Sequence, residues 1–61
     1  MNAVETVTNL INTLTASLLD AEKHDKGVDA ASARLRKTAQ TVATECKDFR
    51  KGIQVERNTR D

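Results

Sequence analysis

Apolar residues recur along the first third of the chain at Val4, Val7, Ile11, Leu14, Leu18 and Ala21, alternately three and four positions apart. That period places them on one side of a helix, and Leu10 and Leu19 widen the stripe. The pattern predicts a helix over about residues 2–24. The run HDKG then interrupts it: Gly27 suits the left-handed turn that ends a helix, and Lys23 and His24 suit a helix C-terminus. A turn is expected over about 25–28, with Asp29 as N-cap of the next helix and Asp25 as a poorer option. A second stripe follows at Leu35, Ala39, Val42, Cys46, Phe49 and Ile53, spaced four, three, four, three, four. It predicts a helix over about 29–57, weakened near its end by Gly52, with 54–61 tending to a loose tail.

A connection this short sets the two helices antiparallel. The expected fold is therefore all-α, a single domain over 1–61. It is an antiparallel two-helix hairpin, coiled-coil-like, that dimerises into a four-helix bundle. The reason to expect dimerisation lies in the first helix. From Thr6 to Leu19 no residue is charged, and Thr and Asn are mediocre helix formers, so packing must hold the segment. Its outer face is either a neutral hydrated surface or is covered in an oligomer. The run is too short and too polar to span a bilayer.

Composition narrows the means of support. At 61 residues the chain buries little surface on its own. One cysteine excludes an internal disulfide, and one Cys with one His cannot make a four-ligand zinc site in one chain. Helix association remains. Cys46 is expected as a small buried hydrophobe within its stripe, and His24 as a helix-end residue. No cofactor, metal, small-molecule substrate or membrane partner is expected. A hairpin of this size offers no evident catalytic pocket, so the chain reads as a non-enzyme. The opening MNAVETV lacks the basic start of a secretory signal.

The net charge of +1 is unevenly spread. Residues 1–26 hold four acidic and two basic side chains, whereas 27–61 hold eight basic and five acidic. At 100° per residue, Arg36, Lys37, Lys47, Arg50 and Lys51 fall within a sector of roughly 140° on the flank and back of the second stripe. Glu45, Asp48 and Glu56 fall in another sector, Asp29 lies within the basic one, and Arg34 sits apart near the acidic side. A row of Arg and Lys can track a phosphate backbone, giving salt-sensitive affinity without sequence preference. The plain alternative is a solvated helix with intrahelical pairs such as Asp48–Lys51 and Glu22–Lys26. With Phe49 as the sole aromatic, base stacking on single strands is not expected.

The run EKHDKGVDAASARLRKTAQ, followed by CKDFRKGI, resembles the linker-histone-like nucleoid proteins of chlamydial type, whose relatives occur in other bacteria and in large DNA viruses. The resemblance rests on Lys26-Gly27, Ala30-Ala31, Arg34-x-Arg36-Lys37 and Phe49-Arg50-Lys51, and covers roughly 20–53. It implies a histone-like, sequence-nonspecific DNA-binding protein that organises or compacts a genome, contacting the phosphate backbone of double-stranded DNA. The DNA-binding residues it implies are Arg34, Arg36, Lys37, Lys47, Arg50 and Lys51, with Arg34 included through the motif alone. The expected location is cytoplasmic and nucleoid-associated, or in the virion of a virus. The competing reading is a structural or adaptor hairpin in a larger assembly without nucleic acid contact.

Overall fold

The computed structural model describes residues 2–60; Met1 and Asp61, the last residue of the expected tail, lie outside them. Three α-helical segments are present, α1 (Ala3–Ala16), α2 (Leu18–Asp25) and α3 (Asp29–Thr59), with no strand among the described residues. The chain is all-helical.

The first arm begins at Asn2, whose side-chain oxygen accepts the Glu5 backbone N–H at 3.0 Å. Glu5 in the first turn also meets the positive end of the helix dipole. The arm is not one smooth helix. Ser17 turns both its backbone N–H (3.1 Å) and its hydroxyl (2.7 Å) onto the Leu14 carbonyl, tightening one turn and separating α1 from α2. The ladder resumes at once, with Ala21 N–H bonded to the Ser17 carbonyl at 2.9 Å.

Gly27 ends the arm at φ +85°, as its sequence context predicts. Its N–H bonds the His24 carbonyl and the Val28 N–H bonds the Lys23 carbonyl, the paired arrangement that satisfies a helix C-terminus through a left-handed residue. The N-cap of α3 is Val28, without a side-chain cap bond, and Asp29 occupies the first turn instead of the cap. The turn closes one residue earlier than the Asp29 cap would require, and Asp29 acts there through the helix dipole. Helix α3 runs on to Thr59, so most of the stretch expected as a loose tail is helical despite Gly52.

The first arm lies back along α3. Asp20 meets Arg34, and His24 meets Ser32. The side chains facing the contact are not the apolar stripe of the first arm. The half-buried positions are Thr6, Leu10, Thr13, Ser17, Asp20 and Ala21, and the stripe of Val4, Val7, Ile11, Leu14 and Leu18 stays 42–78% exposed. On α3 the covered positions are Ala31, Ser32, Leu35, Thr38, Val42, Phe49, Gly52 and Glu56. Three residues of the sequence stripe belong to this seam; Ala39, Cys46 and Ile53 lie outside it and are exposed. Cys46 is thus a free exposed thiol rather than a buried one.

Ala31 is the one described residue that is fully enclosed, at 0% exposure. It sits where the hairpin closes and where a larger side chain would hold the arms apart; Ala30 and Ala33 point outward. The molecule is a rod of 51 × 16 × 12 Å. Its radius of gyration is 14.9 Å, against about 10.5 Å for a compact domain of this length.

Candidate nucleic-acid interface

Helix α3 carries the cations because its inner face is spent on the first arm. Ala31, Leu35, Thr38, Val42 and Phe49 point inward, and the residues turned away from the contact are free to be charged. Arg36, Lys37, Lys47, Arg50 and Lys51 are all exposed. None of the five is ion-paired with a carboxylate among the described residues. From Arg36 to Lys51 they span roughly 22 Å of helix axis.

They gather in two shallow hollows. Arg36 and Lys37 border one with Ala33, Gln40 and Thr41. Lys47 and Arg50 border the other with Ala43 and Cys46. Lys51, next to Arg50 in the chain and about 100° further round the helix, is exposed but borders neither hollow. Small side chains, Ala33 and Ala43 among them, lie between the cations and leave the helix surface open there.

The nearby carboxylates are held away from this side. Glu45 and Asp48 line the groove between the arms with Thr6, Asn9, Leu10 and Phe49. Asp20 lies further along, in a groove shared with Thr13, Arg34, Lys37, Thr38 and Thr41. Glu45, Asp48 and Asp20 thus line the grooves, where Arg34 and Lys37 join Asp20, while Arg36, Lys47, Arg50 and Lys51 lie outside them. Asp29 stands at the start of α3, two helical turns before Arg36.

Arg34 is placed differently from the other five. Its Nε and Nη2 both donate to Asp20 Oδ1, at 3.1 and 3.0 Å. It clasps the two arms across the hairpin, on the acidic side where the sequence pattern set it. Asp20 has no mark in the sequence as its partner; the hairpin register alone brings them together. A second cross-arm bond, missed in the sequence for the same reason, joins His24 Nδ1 to the Ser32 hydroxyl at 2.6 Å. Ser32 also bonds the Val28 carbonyl at 3.1 Å. Both clasps lie near the turn.

Among the described residues no group of His, Cys, Asp or Glu is arranged to hold a metal ion, and no helix is long and apolar enough to cross a membrane. The surface offers exposed positive charge beside two shallow hollows.

A family model described as "Histone H1-like protein Hc1" matches residues 1–59. No curated protein and no solved structure matches the chain.

Proposed function

The chain belongs to the family of histone H1-like proteins of the Hc1 type, and from that premise we propose that it binds double-stranded DNA through the outer face of α3. The observation that carries the reading is the set of five exposed cations without a carboxylate partner among the described residues, on a helix whose other face holds the hairpin together. Arg36, Lys37, Lys47, Arg50 and Lys51 contact phosphate oxygens. Arg34 serves the hairpin, through Asp20.

Binding of this kind is electrostatic and indifferent to sequence. Each phosphate neutralised releases condensed counterions, so affinity falls with salt in proportion to the number of contacts. No side chain is presented as a base-reading helix would present it, and the role is organisational rather than enzymatic. A net charge of +1 makes a single copy a modest binder. Several copies that present their rows together gain avidity without any new contact, so compaction is a property of the assembled protein. The compartment that follows is the nucleoid, or the packaged genome of a virion.

The test is an electrophoretic shift of unrelated duplexes across a salt series. Five phosphate contacts give a slope of about −4.5 in log affinity against log salt, or roughly 500-fold weaker binding at 200 mM than at 50 mM. Unrelated duplexes bind equally. Absence of any shift at low salt and high protein concentration refutes the proposal, as does strong preference for one duplex.

A further inference from the structure

The five cations of the outer face are unevenly spaced along α3. Arg36 and Lys37 form one group, and Lys47, Arg50 and Lys51 form a second. The centres of the two groups lie roughly 19 Å apart along the helix axis. All five fall within about 80° of the direction opposite the seam of Ala31, Thr38, Val42 and Phe49, so both groups face the same way from one rod. In the interval between them nothing charged faces outward. Glu45 is its one charged residue, and it lines the groove between the arms. The outward positions are Gln40, Ala43 and Thr44, and the Thr44 hydroxyl donates to the Gln40 carbonyl of its own helix at 3.2 Å.

That spacing is a measure of what the rod fits. B-form DNA opens about 12 Å across its major groove and about 6 Å across its minor groove. Adding the breadth of a phosphate group, about 6 Å, sets facing phosphate centres about 18 Å apart across the major groove and about 12 Å across the minor. The two groups of α3 match the first distance. A strand carries a phosphate at every nucleotide, so a rod laid along one strand would pass several of them with Gln40, Ala43 and Thr44, which bring no charge. Laid across the major groove, the same three residues cover the open gap, where no phosphate lies, and each group of cations rests on one rim.

Resting on the DNA-binding reading above, the geometry points to α3 as a bridge over the major groove of B-form DNA. Arg36 and Lys37 neutralise phosphates of one strand, and Lys47, Arg50 and Lys51 those of the other. Bridging of this kind engages both backbones and touches no base edge, so it needs the duplex and not its sequence. The first arm, on the far side of α3, stays clear of the DNA.

A duplex with one strand built entirely of methylphosphonate, which carries no charge, tests the bridge. Only the charged strand then releases counterions, at the single-strand value of about 0.7 per contact. Bridging leaves two or three contacts and a slope of about −1.4 to −2.1 in log affinity against log salt. A rod lying along one strand keeps all five and a slope of about −3.5, which overturns the inference. Which groove is bridged is read on filled duplexes. Cytosines with a glucosylated hydroxymethyl group at C5 fill the major groove, leave the phosphates alone, and weaken binding by about tenfold or more as one rim is lost. Netropsin, seated in the minor groove of an A·T-rich duplex, leaves binding unchanged. Equal affinity for filled and open major grooves, or loss of binding with netropsin, overturns the inference. The unmodified duplex is the reference throughout: no shift on it removes DNA binding itself, whereas a normal shift on it beside a slope of about −3.5 on the half-neutral duplex removes the bridge alone.

Discussion

Arg34 and Arg36 are two residues apart in one basic motif, and the structure sets them in different surroundings, Arg34 against Asp20 and Arg36 exposed; the proposed function then gives them opposite duties. Arg34→Ala removes the two N–H bonds to Asp20 Oδ1. The pair is half open to water, with Arg34 54% and Asp20 24% exposed, so solvent screens it and its share is about 0.5–1 kcal/mol. Lost contacts of the arginine stem bring the total to about 1 kcal/mol. In a domain this small that lowers the melting temperature by about 4–8 °C. The slope of DNA affinity against salt stays at about −4.5, because no phosphate contact is lost. Arg36→Ala does the reverse. Its guanidinium is exposed and unpaired among the described residues, so stability changes by less than about 0.5 kcal/mol, and the slope drops by about 0.9. Thermal melts by circular dichroism at one fixed protein concentration, beside the shift assay in three or four salts, read both quantities. Asp20→Ala reproduces the Arg34→Ala melt, and the double variant loses little more than either single one. If Arg34→Ala flattens the salt slope as much as Arg36→Ala while leaving the melt unchanged, the division of labour is wrong.

Two further substitutions examine the turn. Gly27→Ala places a methyl group in open space, with nothing within 4 Å, so its whole cost is the left-handed backbone at φ +85°; the loss is about 1–2 kcal/mol by urea titration, and Gly27→Asn, which tolerates that conformation, loses clearly less. Equal stability of Gly27→Ala and wild type would contradict the turn geometry. Ala31→Leu overfills the enclosed site where the arms close and destabilises by about 1–3 kcal/mol, whereas Ala30→Leu, on the exposed side, stays within about 0.5 kcal/mol in the same titration.

The helical content, the break at Gly27 and the grouping of the cations were legible in the sequence because each rests on local spacing or local backbone preference. The inner seam was not. The most apolar heptad of the first arm, Val4 to Leu18, has the strongest pattern, yet Thr6, Leu10, Thr13 and Ser17 face α3. Both stripes have the same period, and periodicity does not say which of two stripes meets the neighbour within the chain and which is left over. Cys46 and Ile53 were misplaced by the same rotation. Cross-arm partners escaped for another reason: Asp20 and Arg34 are fourteen positions apart, and only the register of the closed hairpin brings a carboxylate to that guanidinium. The Val28 cap shows a third limit, since Asp29 has the better capping chemistry but the turn at Gly27 fixes where the helix starts.

Ala31, alone among the described residues in being shut off from solvent, has a consequence in the cell. A molecule with so little interior of its own opens readily, and the open chain is what proteases cut. Any ligand that binds only the closed hairpin lengthens the protein's lifetime by mass action, in step with how much of the protein it occupies.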